Sequence, residues 1–478
     1  MTRTASPGAY HRYHIDTAET PDIVPWPTRF TVHVSKVGLA RHLLRELVHY
    51  RADLEIVLSR PCMYGVFSGP IGGFAPRPEH CVGCLRCTTQ HPDFVEIRHN
   101  PLREKLGDSY FHFNHVNAAS YEAQTGSIPV KGAGYRGKFG GAGWDGMWTD
   151  MSEIVRPTRD GIHGREFIST VVDIGARPNY LRFGPDGQLV GQVPHTFSIP
   201  IPMLFDAPPA AARSEAACRA LAQAAQKVET LLVLPLATLR QCDPAGPHIV
   251  PLVAPAERPQ VASLPFEPRL VELASWDPAL YDEIRRCFPE TLVALRLPYG
   301  PPETLLHYHS LGVRVFHLTA DYHGTGADGR FVSTLIQEAH KTFVKAGIRE
   351  EVTLLGSGGI VAAEHVPKAI IMGLDAVVLD TPLLVAMQAS FDGEFTNHNS
   401  ANCQLPSRLT PAWGAQRLQN LMAAWRDQLL EILGAMGLRE VRRLRGETGR
   451  AMFQENLERE AFAGIEGFGE TAARRVMD

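Results

Sequence analysis

Three cysteines at intervals of three residues stand in the run Cys81-Val82-Gly83-Cys84-Leu85-Arg86-Cys87-Thr88-Thr89-Gln90-His91-Pro92. Iron in a sulfide cluster favours soft thiolates, and two-residue spacers let one short loop present three of them. Such a loop usually closes on cysteine-proline; here the pair is His91-Pro92. Cys62, upstream across the turn segment Gly69-Pro70-Ile71-Gly72-Gly73, offers a fourth thiolate. Cys62, Cys81, Cys84 and Cys87 suit a [4Fe–4S] cluster, the reading favoured here; three thiolates suit a [3Fe–4S] cluster or one completed by His91. The same donors could hold zinc or stay as buried free thiols. The density of the C-x2-C-x2-C spacing favours iron–sulfur over the separated pairs of a zinc ribbon.

A second group of residues points to anion binding. In Leu354-Leu355-Gly356-Ser357-Gly358-Gly359-Ile360 an apolar run ends in glycines that let backbone N–H groups close on a phosphate. Thr381, in Leu379-Asp380-Thr381-Pro382, could cap the next helix and share that phosphate; a tight turn with an ordinary cap is the alternative. The run Ala320-Asp321-Tyr322-His323-Gly324-Thr325-Gly326-Ala327 sets an acid, a phenol and an imidazole before a turn, with His323 a candidate proton donor or an exposed loop residue. Arg296 ends another apolar run and points either into the barrel mouth or along its wall; an inward orientation would imply a phosphate, a flavin ring carbonyl or a substrate carboxylate nearby. Arg156-Pro157-Thr158-Arg159-Asp160-Gly161-Ile162-His163-Gly164-Arg165-Glu166 is either an anion-recognising loop or a charged surface crossing. Glycines 132, 134, 137, 140, 141, 143 and 146, interleaved with Tyr135, Phe139, Trp144 and Trp148, suit an ordered irregular segment. It either faces a cofactor or wraps a neighbouring domain.

The elements that must position these residues alternate. Strand-like runs are expected at Ser198–Phe205, Glu229–Leu236, His248–Val253, Arg269–Ala274, Thr291–Leu297, Val313–Ala320, Val352–Leu355 and Asp375–Leu379. Helices are expected at Arg213–Val228, Pro278–Cys287, Pro302–Leu311, Phe331–Ala346 and Ala362–Met372. This order predicts an α/β fold, a (β/α)8 barrel of the TIM type, with the glycine turns after strands seven and eight at the usual phosphate position. The connections after the second and third runs are short for full helices, which leaves an irregular or open first half as an alternative. An amphipathic helix is expected over Val37–Tyr50, and two more, Ala415–Gly437 and Thr448–Phe462, bracing the barrel.

Composition excludes some partners. A net charge of −4 and a 44% hydrophobic content describe an ordinary globular chain with no electrostatic case for nucleic acid. No apolar run reaches membrane-spanning length uninterrupted, and Met1–Pro7 lacks the apolar core of a signal peptide. With Cys218, Cys242, Cys287 and Cys403 scattered singly, a cytoplasmic location is expected.

The run Val313–Met387, with His323-Gly324-Thr325-Gly326-Ala327, Gly356-Ser357-Gly358-Gly359-Ile360 and Gly373-Leu374-Asp375-Ala376-Val377-Val378, resembles the FMN-binding synthase domain of the glutamate synthase family. The upstream cysteine loop is similar to iron–sulfur segments attached to stand-alone members. The resemblance implies electrons passing from an iron–sulfur cluster to FMN in the barrel, for reduction of an imine or related small substrate. It implies Gly358, Gly359 and Thr381 at the FMN phosphate, with Gly356, Ser357, Gly324, Thr325 and Gly326 lining the cofactor or substrate pocket. Arg296, His323 and Asp321 are the implied catalytic residues. It further implies an iron–sulfur and Gly/aromatic-rich segment at 61–172 behind a helical extension at 1–60, the barrel at 173–405 and a helical extension at 406–478. A redox partner or glutaminase-type subunit, within an oligomer or larger complex, would complete the system. Departures include Arg296 where the family has lysine, no recognisable glycine motif in Leu236-Ala237-Thr238-Leu239-Arg240, and a lone Cys403 for a cysteine trio. An alternative is an electron-transfer or scaffold subunit that keeps the cluster and has lost FMN catalysis. A metal-independent barrel enzyme acting on a phosphorylated metabolite is a third reading.

Overall fold

Pro200 and Pro202 interrupt the first apolar run, since a residue without an N–H cannot donate to a ladder. The run Ser198–Phe205 therefore divides. Thr196–Ile199 pairs antiparallel with Val172–Gly175, and only Met203–Phe205 (β1) enters the main sheet. The computed structural model describes residues 13–58, 62–129, 140–151, 167–178, 181–190, 194–242, 246–397 and 402–465. They fall into two compact units, one of Met1–Ile23, His115–Pro129 and Lys138–Asp478, the other of Val24–Asn114 and Val130–Gly137.

In the larger unit β1 is followed by β2 (Leu232–Pro235), β3 (Ile249–Val253), β4 (Leu270–Leu273), β5 (Leu292–Pro298), β6 (Val315–Thr319), β7 (Thr353–Ser357) and β8 (Ala376–Leu379). Each pairs in parallel with the next, and β8 returns to β1 through Val377↔Met203 and Leu379↔Phe205, closing the barrel. The fold is thus the expected (β/α)8 barrel. Its crossovers are uneven. Full helices α1 (Glu215–Lys227), α3 (Pro278–Cys287), α4 (Pro302–Ser310) and α5 (Val332–Lys345) contrast with α2 (Leu236–Cys242) and a 3-10 turn at Pro255–Ser263. The first half is irregular in its connections but not open, because the β2–β3 and β3–β4 ladders form regardless.

Local chemistry sets the helix ends. Ser214 accepts from the Ala217 N–H and starts α1; Asp277 accepts from the Leu280 N–H, with Pro278 at the first turn of α3. The helix α6 (His365–Met372) follows β7, α7 (Thr381–Ala386) follows β8, and the long α8 (Pro411–Ala435) packs on α1. The approach is close at Gly414, where a Cβ would lie 2.8 Å from that of Ala220. Beyond α8, the stretch expected as one helix from Thr448 yields a strand, Ala451–Phe453, paired with Met147–Thr149, and then the helix Gln454–Phe462.

Both α8 and residues 13–23 are built into the larger unit. Arg417 on α8 is fully buried and donates to the carbonyls of Ala386 (2.6 Å) and Thr20 (3.0 Å) and to Asp22 (2.9 Å). Asn420 donates to Ala18 and Ala123, and the Trp425 indole donates to Glu122.

In the smaller unit Phe30–Val34 pairs antiparallel with Val95–His99, and the helix Lys36–His49 is capped by Ser35. Phe30, Val66 and Cys81 form a small core against which Cys62, Phe67 and Ile97 pack. Among the described residues no helix is long and apolar enough to cross a membrane.

Candidate active site and thiolate cluster

The cysteine loop depends on its turn residues. Gly83 has φ +70°, and a Cβ there would lie 2.2 Å from the Phe30 ring; Leu85 also takes the left-handed conformation. Burial first, and then the neighbouring thiols Cys84 and Cys62, push the Cys81 thiol up against the Gly83 N–H. Burial and then Cys81, Cys84 and Cys62 raise Cys87 against the Thr88 N–H. Cys81 and Cys87 therefore each lie near the other three thiols. A single tetrahedral zinc with bonds of about 2.3 Å would need sulfurs about 3.8 Å apart. Among the described residues these sulfurs do not form a set within 4.8 Å of one another. The His91 ring centroid lies 4.5 Å from that of His42 and 5.1 Å from that of Phe94, against the helix Lys36–His49.

In the barrel, Arg296 points inward from β5. Its Nη2 donates to Asp206, one residue past β1, at 2.7 Å, and its Nε donates to Glu272 on β4. Strands one and five stand opposite each other in a ring of eight, so the guanidinium lies across the barrel axis. Of the two orientations open to Arg296 the inward one is present, and its partners are the chain's own carboxylates. His317 on β6 reaches over β5 to Glu272, Nδ1 to Oε1 at 2.9 Å, which puts both side chains in the lumen. Burial opposes ionisation of Glu272, but Arg296 and then His317 outweigh it and hold the carboxyl below its usual range. Burial likewise opposes charge on Arg296, and Asp206 and Glu272 raise it further above its usual range.

The loops at the carboxyl ends of β6, β7 and β8 carry most of the remaining candidates. Gly358 and Gly359 have φ +102° and +73°, and a Cβ on Gly358 would lie 2.5 Å from the Asp321 carbonyl. On the adjoining strand end, the Thr381 hydroxyl is buried without a hydrogen-bond partner among the described residues. An orphaned hydroxyl next to a left-handed glycine turn fits a phosphoryl oxygen. Asp321 accepts the Thr325 N–H at 2.6 Å, Gly326 N–H donates to the Arg330 carbonyl, and Val332 N–H donates to Gly324. Asp321 thus shapes the loop. That loop sits on the glycine turn, with the Gly359 N–H donating to the Tyr322 carbonyl at 3.2 Å. His323 approaches Glu394 at 3.8 Å. Ser357 is buried at the end of β7, and Gly356 serves close packing, since its Cβ would lie 2.6 Å from both Leu374 and the Tyr299 hydroxyl. Burial, with the Asp206 charge adding to it against the Thr381 N–H, pushes the Asp380 carboxyl up to about 7.

Of the glycine/aromatic segment, residues 132–139 lie outside the described residues, as do Arg156–Glu166. The part that is described anchors to the barrel. Trp144 is buried edge-on to Phe331, its carbonyl accepts from Lys368 at 2.8 Å, and Asp145 bridges His115 and His365 at 3.0 Å each.

Residues 323–439 match the family model described as the conserved region in glutamate synthase. An archaeal-type glutamate synthase [NADPH] of Dehalococcoides mccartyi is 24% identical over 435 residues, 77% of this chain and 86% of that protein. An archaeal glutamate synthase [NADPH] of Archaeoglobus fulgidus is 39% identical over 132 residues, 26% of each chain. Over residues 323–439 the chain is thus similar to glutamate synthases. Among solved structures, mandelate oxidase with 3,3-difluoro-2-hydroxy-3-phenylpropionic acid is 14% identical, with a TM-score of 0.40 over 63% of this chain and 85% of that one. An IMP dehydrogenase/GMP reductase-like protein of Corynebacterium glutamicum gives 13% and 0.39, over 65% and 94%.

The family match begins at His323 and runs through both turns after β7 and β8 to just beyond α8. Sequence reasoning passed over Asp206, Glu272 and His317. A signal existed for two of them: Glu272 and His317 interrupt apolar strands at single positions, as lumen-facing charges do.

Proposed function

We propose that this chain is an iron–sulfur flavoprotein oxidoreductase of the glutamate synthase-like group. Cys62, Cys81, Cys84 and Cys87 hold the cluster, with His91 kept in its ring cluster rather than in the ligand set. Gly358, Gly359 and Thr381 hold the phosphate of FMN, which supplies two-electron chemistry at the barrel mouth. Arg296, clamped by Asp206 and Glu272, forms a fixed charged floor, and the loop bearing His323 shapes the space for an imine or related small substrate. The electrons come from a nicotinamide, as the relatives' names suggest for those proteins, or from a redox partner; a glutaminase-type subunit is a further candidate partner.

The observation that carries the flavin reading is the buried, unpartnered Thr381 hydroxyl beside the Gly358–Gly359 turn, inside the family-matched region. Anaerobic purification with iron, sulfide and flavin analysis tests it. About one FMN per chain, lost in Thr381→Val and Gly358→Ala, is expected. Iron without flavin, even after reconstitution, would overturn it. Cys62→Ser should lose iron and His91→Ala should keep it.

A second reading has its own support. The Arg296 charge is already matched by Asp206 and Glu272, and the β6 loop rests on the glycine turn. A subunit that keeps its cluster but has given up flavin catalysis would show both features, and the same analysis separates the two.

A further inference from the structure

The described part of the glycine/aromatic segment meets the barrel at the helix that follows the glycine turn. Asp145 stands at the centre of this contact. Its Oδ2 faces His115 Nε2 and its Oδ1 faces His365 Nε2, both at 3.0 Å. Burial opposes ionisation of Asp145, but hydrogen bonds from His115 and then His365 hold its carboxyl far below the usual range, so it is an acceptor only. His365 must therefore carry its proton on Nε2. That leaves Nδ1 bare, and Nδ1 accepts the backbone N–H of Val361 at 3.2 Å. Val361 lies two residues beyond Gly359.

A continuous chain of hydrogen bonds thus runs from Asp145 through the His365 ring to the backbone leaving the Gly358–Gly359 turn. Every link depends on the previous one. Without an acceptor at Asp145 the Nε2–H tautomer loses its strongest partner, and a proton on Nδ1 would face the Val361 N–H donor to donor. His365 is 1% exposed, so water does not readily substitute. Lys368 holds the same segment independently through the Trp144 carbonyl.

We propose that Asp145, acting through His365, is a positioning residue for the phosphate-binding turn, so that the glycine/aromatic segment tunes how tightly the phosphate end of the ligand is held. The inference rests on the functional reading above. It differs from that reading in predicting selectivity between ligands with and without a phosphate.

The test uses the full chain reconstituted with FMN or with riboflavin, which lacks the phosphate. Asp145→Leu, which removes both acceptor oxygens, is expected to weaken FMN binding by about tenfold or more, the usual scale for a residue that orients a ligand-binding side chain. Riboflavin affinity should move by less than about twofold, because loss of packing alone would weaken both ligands equally. His365→Asn keeps an acceptor for the Val361 N–H but breaks the link to Asp145, and should behave like Asp145→Leu. Trp144→Phe, which trims a buried ring against Phe331 and leaves the Asp145 chain intact, should leave the FMN-to-riboflavin ratio unchanged. Equal loss of both ligands in Asp145→Leu, or unchanged FMN affinity in His365→Asn, overturns the proposal. If the parent protein takes up no FMN, the functional reading fails by itself. Hydrogen exchange on the ligand-free chain then decides the positioning role. Faster exchange confined to the peptide 356–364 in Asp145→Leu supports it, and unchanged or uniformly faster exchange overturns it.

Discussion

Replacing Asp380 by asparagine should remove a loss of stability that the parent suffers as pH rises from about 4 to about 7. Asp380 is buried at the end of β8, and burial, reinforced by the Asp206 charge and opposed by the Thr381 N–H, moves its carboxyl from 3.8 to about 7. A carboxyl raised in this way binds its proton more tightly in the folded than in the unfolded state. Its contribution to stability is complete below about pH 4 and is lost as pH rises through about 7. The difference of about three pH units, at about 1.4 kcal/mol per unit, amounts to roughly 4 kcal/mol. Asparagine keeps a carbonyl oxygen for the Thr381 N–H and cannot ionise. Urea unfolding of parent and Asp380→Asn, run in parallel from about pH 4 to about pH 9, isolates the group, because other titrations cancel in the difference. The variant should gain on the parent by about 1.4 kcal/mol per pH unit up to about pH 7 and hold constant above it. A difference that stays flat over the whole range would refute the reasoning. It would mean that the carboxyl ionises at its ordinary value.

Arg296→Met should cost about 3–5 kcal/mol in urea unfolding, because it strands two buried carboxylates; an unchanged midpoint would mean that the guanidinium does not hold Asp206 and Glu272. Tyr299→Phe removes a buried hydroxyl with no partner among the described residues, and should be neutral or stabilising by up to ~1 kcal/mol; a clear loss would reveal a hidden partner for that hydroxyl. Gly83→Ala, forced into a left-handed φ against the Phe30 ring, should reduce iron bound per chain at least about twofold. Full iron occupancy in that variant would show that the cysteine loop tolerates another backbone path.

The eight strands were legible because parallel strands covered on both faces read as near-continuous apolar runs, and turns or helix-length segments separate them. The run that divides, Ser198–Phe205, contains two prolines that a hydrophobicity pattern does not weigh. Short crossovers after β2 and β3 were also visible in the sequence, but not that the barrel closes in spite of them, since closure depends on ladder register rather than on helix length. The glycine turn, Thr381 and Arg296 could be named because strand ends carry chemistry in this fold. Which anion Arg296 meets could not, for Asp206 lies on the far side of the barrel and ninety residues away in sequence. The same applies to Asp145 and His365, separated by 220 positions and joined only by the fold.

Arg417 gives the chain an order of assembly. Its hydrogen bond to the Thr20 carbonyl spans 397 positions. During synthesis on the ribosome, the stretch around Thr20 emerges long before Arg417, and its carbonyl and the Asp22 carboxylate stay hydrated until α8 has been made. The barrel strands can pair progressively in that interval, but this latch shuts only with the arrival of α8. A prematurely terminated product lacking α8 should therefore be recognised by the cell as unfinished, however many strands it contains.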